Sequence, residues 1–402
     1  MSGTKRAPAF ENVGPPHVGR CRLLYVVGQL HTGGLERQLV YLLRVLDRDR
    51  YRPVVAVWQY DENDVRIREV RALGVPIYAM SAPASGLEKL RAFRRLARDL
   101  TPEVIHSYSF FTNLGAAWAA SSLGAVAVGS IRSDFAWGKR DAGPMLGRAS
   151  ARWPRHQISN SFTAAADVSR SRGIFKPRRC DVVWNGVDLA AFRPAVRSEA
   201  RPRVIGLGYL LPVKRWDRLL DVAATLAQRG LAFTLEIVGD GPLRHTLEEQ
   251  ARRLGIVDRV ELAPHTGDVS GKLAQSSFMV LTSANEGTPN VVMEAMACGR
   301  AVVATAVGDV PRLVKDGITG FVVPPEDDAA LLSRVATLIN DPDLCVRMGH
   351  AARADAEQMF DLERLGIETL ASYAAAGWLD TGAPAPASTR RSYSSVPPRT
   401  VV

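Results

Sequence analysis

The chain has 402 residues, 47% of them hydrophobic and 7% aromatic, which is enough apolar material for two domains with buried cores. Lys and Arg number 51 against 41 Asp and Glu, a net charge of +10 that favours phosphate or an anionic membrane face as partners. No basic stripe interleaved with aromatics and no zinc-finger spacing occurs, which excludes nucleic acid, and Cys21, Cys180, Cys298 and Cys345 form no C-x-x-C pair, which predicts reduced cytosolic thiols and no disulfide framework.

Residues 1–20 are polar and bear Pro and Gly without an apolar signal core, so a disordered tail is expected there. "CRLLYVVGQL" reads as a buried strand, and "GGLERQLVYLLRVLD" as a helix with Leu35, Leu39, Leu42, Leu43 and Leu46 on one face. "RPVVAVWQY" and "GVPIYAM" are further strands, "LEKLRAFRRLARDL" is a basic amphipathic helix and "PEVIHSYS" a strand. From Val104 to Ile131 no Asp, Glu, Lys or Arg occurs, over more than the ~20 residues a membrane span needs. His106, Asn113, Gly115 and Gly124 interrupt the stretch, which predicts a buried strand, helix and strand. The alternation restarts with "PRVIGLGYL", "DRLLDVAATLAQRG", "LAFTLEIVGDGP" and "LRHTLEEQARRLG", followed by the strands "VELAP", "FMVLTSA", "AVVATAVG" and "GFVVPP". Such alternation predicts α/β architecture: two Rossmann-like, doubly wound parallel-sheet domains facing a cleft, at 21–195 and 200–361. The boundary is placed in the polar "FRPAVRSEARPR", a helix is expected over 362–379, packing back towards the first domain, and the Pro-, Ala- and Ser-rich 380–402 reads as a second disordered tail.

Ligands of open α/β sheets sit beyond the carboxyl ends of the strands, so the exit loops hold the candidates. "ANEGTPNVVMEAMACG" places Glu286 in such a loop and Glu294 about one turn inside the next helix, with Thr288 as N-cap, Pro289 at the first helical position and Gly299 closing the helix. On spacing alone, a surface loop acid and a solvated helix residue describe the two carboxylates better. Two carboxylates beside helix-start amides also suit a polyhydroxyl ligand that carries phosphate. "LGYLLPVKRWDRL" adds Gly206, Gly208, Lys214 and Arg215, two cations that suit a diphosphate or simply stand exposed near a helix start. Gly239 and Gly241 in "VGDGP" form a turn where backbone can approach a ligand, or a plain tight turn. Gly33 and Gly34 precede a helix, but the interval from Gly28 to Gly33 departs from the dinucleotide fingerprint.

Taken together and in order, "GGLERQLV", "NGVDLAAF", "VGDGPLR", "NEGTPNVVMEAMACGRAVVAT" and "GDVPRLVKDGITGFVVPPED" resemble the retaining glycosyltransferases of family 4, of GT-B fold, from about Leu24 to Leu370. The resemblance implies a hexosyltransferase that uses a nucleotide diphosphate sugar and a glycan or lipid-linked acceptor in bacterial cell-surface or exopolysaccharide assembly. It implies that Glu294 binds the ribose hydroxyls, and that Glu286 with Gly287, Thr288, Pro289, Asn290 and Val291 holds the donor sugar. Lys214, helped by Arg215 and Gly208, would meet the diphosphate, and Gly33, Gly34, Gly239 and Gly241 would let backbone approach the donor. His106 falls on the family's cleft-histidine strand, where a catalytic role and a hydrogen-bonded core histidine are both open. The chain departs from the family pattern at Tyr209, where Arg is common, and at Tyr108, where a second histidine is common. Arg132 and Asn160 follow strands and join Tyr108 as further cleft candidates.

No cofactor and no metal is expected, since a lysine and helix-start amides can stabilise a departing diphosphate. No nucleophile is evident beneath the sugar, so front-face attack is expected, the leaving phosphate taking the acceptor proton. A nucleotide-sugar epimerase and a catalytically silent partner of a polysaccharide assembly complex are the competing readings. A cytoplasmic location is expected, with weak peripheral contact of the basic helix Leu87–Leu100 on an anionic inner leaflet, or else a solvated basic face.

Overall fold

The apolar runs become strands buried on both faces, as a parallel sheet covered by helices requires. In the computed structural model, which describes residues 9–31, 33–80, 85–132, 135–195, 201–380 and 399–400, the chain forms two compact units. The first is Met1–Gly186 with Leu362–Val402, and the second is Val187–Asp361.

The first unit is built on β1 (Phe10–Asn12), β2 (Leu23–Val27), β3 (Pro53–Val57), β4 (Ile77–Met80), β5 (Val104–Ser107), β6 (Val126–Ile131), β7 (His156–Ser159) and β8 (Arg179–Val182). The second carries β9 (Arg203–Leu207), β10 (Thr234–Val238), β11 (Val260–Ala263), β12 (Phe278–Leu281), β13 (Ala301–Thr305) and β14 (Gly320–Val323). A last short strand, β15 (Arg399–Thr400), returns to the first unit. The sheet orders are β1-β4-β3-β2-β5-β6-β7-β8-β15 and β11-β10-β9-β12-β13-β14. Every pairing is parallel except β1 on β4 and β15 on β8, at the two edges of the first sheet. In each sheet the chain runs outward on one side, then resumes on the other. The order therefore reverses between β2 and β5 in the first unit and between β9 and β12 in the second. The crevice beyond the carboxyl ends at such a reversal is where open α/β sheets take ligands.

Three expectations change. Residues 1–8 of the expected N-terminal tail lie outside the described residues, but Phe10–Asn12 pairs with Tyr78–Met80 and Phe10 packs against Trp58 and Phe93. Likewise 381–398 lie outside the described residues, while Asp380 pairs with Arg22 at 2.8 Å and with Arg50 at 2.5 Å. The units divide at Gly186/Val187, ahead of the expected 195–200. The reason is that Phe192 is buried and its carbonyl accepts from Arg353 of the second unit at 2.7 Å.

The helix Leu362–Ala375 belongs to the first unit, where Leu365 and Tyr373 enter the core. Polar anchors fix it. Arg364 donates to the carbonyls of Trp184 and Asn185 at 2.9 Å, and Ser372 donates to the buried carboxylate of Asp181 at 2.8 Å. The uncharged stretch resolves into β5, the helix Asn113–Ala120 and β6, and among the described residues no helix is long and apolar enough to cross a membrane. All four cysteines are buried free thiols, and burial pushes Cys180 and Cys298 up to about 12.

Candidate functional site

The strongest constellation lies at the β9/β12 reversal of the second sheet. After β9 the chain passes Gly208 to Leu211, makes a single 3-10 turn at Pro212–Lys214, and turns left-handed at Arg215 (φ 52°) before the helix Trp216–Gln228. Trp216 is buried beneath Gly206, where a Cβ would come within 2.6 Å of the indole, and its Nε1 donates to the Tyr209 carbonyl at 3.1 Å. After β12, Thr282 donates through Oγ1 to the carbonyls of Lys214 and Arg215, and the Ala284 amide donates to Val213 at 2.8 Å. The two exit loops are thus laced together by backbone-directed bonds, which fixes the side chains they present.

Lys214 and Glu286 meet there. Lys214 Nζ donates to Glu286 Oε1 at 2.6 Å, and Ser283 Oγ donates to the same oxygen at 2.7 Å. Both side chains are mostly but not wholly buried, at 18% and 13% exposed, so the pair is shielded yet reachable from solvent. The backbone behind Glu286 is held as tightly. Gly308 (φ 53°) lies so close that a Cβ would sit 2.3 Å from the carbonyl oxygens of Glu286 and Gly287, and the Asp309 amide donates to Gly287 at 2.8 Å.

The helix that follows, Asn290–Ala297, is capped by Pro289 and not by Thr288. Thr288 was expected as the cap because of its hydroxyl, but that hydroxyl donates to Asp309 Oδ2 at 2.8 Å, which ties the loop to the segment after β13. Asn290 and Val291 form the first helical turn, and Gly299 (φ 66°) closes the helix as expected. Glu294 is buried at 3% exposure, so the solvated-helix reading of this acid is overturned.

Several candidates are placed differently from expectation. Arg215 donates to Glu326 at 2.9 Å and to Asp217 at 3.3 Å, so of the two cations it is Lys214 that meets Glu286 at the loop junction. The tightness of Gly239 and Gly241 serves the neighbouring loop. A Cβ at Gly239 would lie 2.0 Å from the Gly208 carbonyl, and one at Gly241 would lie 2.5 Å from that of Leu210. Gly33 caps the helix Gly34–Val45 with ordinary φ (−64°), and a Cβ there would strike the Glu36 carboxylate.

In the first unit His106 is 1% exposed with both ring nitrogens engaged, to Tyr373 Oη at 2.7 Å and Ser130 Oγ at 3.1 Å. Burial, with Arg132 and His156 nearby, lowers its pKa well below the ordinary value. The catalytic assignment of His106 is therefore corrected to a neutral core histidine that locks the helix Leu362–Ala375 in place. Tyr108 is also buried, with the Arg132 guanidinium 4.3 Å from its ring centre, so neither stands as a freely exposed site group. Asn160 is buried at the end of β7.

Ser283, Thr282 and Asp309 had not been singled out, although a serine three residues before Glu286 is a sequence-visible local partner. Two Asp-x-Asp triplets occur, Asp47-Arg48-Asp49 and Asp341-Pro342-Asp343, and in each the first aspartate caps the helix it precedes. Among the described residues no group of three or more His, Cys, Asp or Glu could hold a metal ion. A cavity of about 400 Å³ opens at the amino ends of β9, β10 and β11, away from these loops, and its Glu236 is satisfied by Arg203 at 2.6 Å and by Lys272.

Two family models match the chain, "Glycosyltransferase Family 4" over residues 32–191 and "Glycosyl transferases group 1" over 190–355. The chain belongs to glycosyltransferase family 4. It is 35% identical over 225 residues to a D-inositol 3-phosphate glycosyltransferase of Salinispora arenicola, a match covering 50% of each protein. It is 31% identical over 168 residues to an N-acetyl-alpha-D-glucosaminyl L-malate synthase of Bacillus anthracis, covering 42% of this chain and 44% of that one. The matches thus span about half the length of these curated relatives. Among solved structures, Anabaena HepE in complex with UDP superposes with a TM-score of 0.75 at 20% identity, covering 88% of this chain and 100% of that one. Sucrose-phosphate synthase from Thermosynechococcus elongatus gives 0.71 at 18%, covering 88% and 98%. The two parallel-sheet units of this family 4 chain are those of the GT-B fold.

Proposed function

We propose that this family 4 protein is a retaining, metal-independent hexosyltransferase that moves a sugar from a nucleotide diphosphate donor to a hydroxyl of a glycan or lipid-linked acceptor, in cell-surface or exopolysaccharide assembly. The observation that carries the reading is the Lys214–Glu286 contact at the β9/β12 reversal, one shielded cation and one shielded acid on adjoining loops. Lys214 stabilises the negative charge that grows on the departing diphosphate, helped by the first-turn amides of the helix Asn290–Ala297. Glu286, with Gly287 to Val291, receives the donor sugar's hydroxyls, and Glu294 receives those of the ribose. HepE has been solved with UDP and with UDP-glucose, which supports a nucleotide sugar as donor.

A panel of nucleotide sugars tests this by thermal stabilisation, since a ligand at 100 times its Kd adds about 2.7 kcal/mol. One member of the panel is expected to raise Tm by about 5 °C or more. The product of its turnover, read by NMR, should keep the donor's anomeric configuration. No stabilisation by any member would leave the silent-partner reading standing, and an inverted product would remove retention.

A peripheral membrane role is part of the proposal, in restricted form. The helix Gly86–Leu100 buries Phe93, Leu96 and Leu100 in its own unit and exposes Arg91, Arg95 and Arg98. Contact with a bilayer would therefore be electrostatic and screened by salt. Co-flotation with vesicles containing phosphatidylglycerol is expected at low salt and lost at about 0.5 M, where the Debye length falls to a few ångströms. Flotation indifferent to anionic lipid would remove it.

A further inference from the structure

The helix Gly86–Leu100 offers a bilayer charge without apolar surface, and another part of the same unit offers both. The helix Pro144–Arg152 leaves Met145 86% exposed and Leu146 exposed, and Trp153 stands exposed at its end. The loop ahead of β8 adds Ile174, 65% exposed, and Phe175. Three contacts join these side chains into one patch. Arg152 donates to the Ile174 carbonyl at 2.8 Å and its guanidinium lies 5.1 Å from the Trp153 ring centre, while that of Arg148 lies 5.7 Å from the Phe175 ring centre. Met145, Arg148 and Arg152 recur at helical spacing and share the outer face. Arg155 and Arg178 flank the patch, the Arg155 carbonyl accepting from the Arg178 amide at 2.8 Å.

Residues 139–179 hold ten Lys and Arg against two Asp, a net +8 of the whole chain's +10. Arg148, Arg155, Arg172 and Arg178 are exposed and have no ion-pair partner among the described residues. Soluble proteins seldom expose large apolar side chains together, and such a patch with a polar rim marks a contact surface. The rim selects the occupant. A second copy of the chain would set two unneutralised basic rims against each other, and a nucleic acid would leave the aliphatic Met145, Leu146 and Ile174 with no stacking partner. An anionic bilayer satisfies both parts: its phosphates meet the arginines, and the apolar tips enter the boundary between headgroups and acyl chains, where tryptophan also settles. We propose that the helix Pro144–Arg152 and the loop at Ile174 and Phe175 form a docking surface for anionic lipid, with shallow insertion of Met145, Ile174 and Phe175. The proposal rests on the peripheral role proposed above and adds insertion to charge. Both basic helices stand in one layer, since the helix Asn113–Ala120 packs against Gly86–Leu100 and against Pro144–Arg152. Shallow insertion alone is marginal, so screening the charges releases the protein even though apolar side chains insert.

The test uses the full chain and vesicles of phosphatidylglycerol with phosphatidylcholine at low salt. Met145→Ser combined with Ile174→Ser is expected to weaken partitioning about 100-fold, for two apolar side chains no longer removed from water. The Tm should hold, because both side chains are exposed in the free protein. Arg172→Gln combined with Arg178→Gln should weaken partitioning about 25-fold, roughly fivefold for each charge. Bromine-labelled lipid should quench the tryptophan fluorescence of the intact chain, and Trp153→Phe should remove most of that quenching. Flotation of the Met145→Ser, Ile174→Ser variant at the parental level, or quenching that survives Trp153→Phe, would overturn the proposal and leave bilayer contact to the helix Gly86–Leu100. A dimer, or oligonucleotide binding, that the same variants abolish while no flotation occurs would overturn it in favour of that occupant. If the intact chain ignores anionic vesicles, the docking surface and the peripheral role fall together. Stabilisation by a nucleotide sugar, measured without lipid, tests the glycosyltransferase reading separately, and these variants should retain it because none of them touches the Lys214–Glu286 site.

Discussion

Replacing Glu286 with Gln, or Lys214 with Ala, is expected to cut turnover at least ~100-fold, the loss that follows removal of a group stabilising transition-state charge. The two changes test different halves of one contact. Glu286→Gln keeps the side chain's size and can still accept from Ser283 Oγ, but removes the negative charge that now balances Lys214 Nζ at 2.6 Å. Lys214→Ala removes the positive charge that meets Glu286, while Arg215 stays with Asp217 and Glu326. Both side chains are mostly buried, so removing one partner leaves the other's charge uncompensated and costs some stability, about 1–3 kcal/mol where a path to solvent remains. The loss of function should appear in kcat, measured as nucleoside diphosphate release below the Tm of each variant. For Lys214→Ala, donor affinity should also become less sensitive to salt, because the screened charge is gone. Near-parental turnover by either variant would remove the assignment of the donor site to these loops.

How far the sequence revealed this site depends on which interactions are local. The β–α alternation and its two sheets were legible because parallel strands buried on both faces are near-continuous apolar runs, as in "LLYVV" and "AVVAT". The carboxylate loop was legible because its strand, turn and helix are consecutive. What the sequence concealed are contacts between segments far apart in the chain. Thr288 looks like a helix cap until Asp309, 21 residues on, takes its hydroxyl. Gly239 looks like a ligand-approach glycine until the Gly208 carbonyl occupies that space. His106 looks like a cleft histidine until Tyr373, 267 residues later, claims one ring nitrogen. The contact of His31 with Asp64 was hidden for the same reason, since 33 residues separate the two.

That distant helix also sets the largest stability effect. Asp181, in β8, is fully buried and receives His156 Nε2 at 2.9 Å, Ser372 Oγ at 2.8 Å and Arg179 Nε at 2.8 Å. Two of these donors belong to the sheet and the third to the helix Leu362–Ala375, so one carboxylate joins the C-terminal helix to the first unit's core. Asp181→Ala leaves a buried histidine and serine, and the partly exposed Arg179, facing a void and should destabilise the unit by about 3 kcal/mol or more. That is a large part of the 5–15 kcal/mol typical of a domain. Asp181→Asn keeps acceptor and shape and should cost roughly half as much. The pH dependence separates charge from packing. Burial alone would raise the Asp181 pKa, but the bonds from His156, Ser372 and Arg179 outweigh it and hold the carboxyl below its ordinary value. A depressed carboxyl contributes stability that is complete above its unfolded pKa near 4 and is lost as pH falls through the lower folded value. The parent should therefore lose stability on acidification below about pH 4 more steeply than Asp181→Asn, which has no proton to take up there. Urea unfolding followed by tryptophan fluorescence reads this in the right place, since six of the seven tryptophans lie in the first unit. Equal acid slopes in parent and variant would show that the carboxylate holds the helix by shape alone.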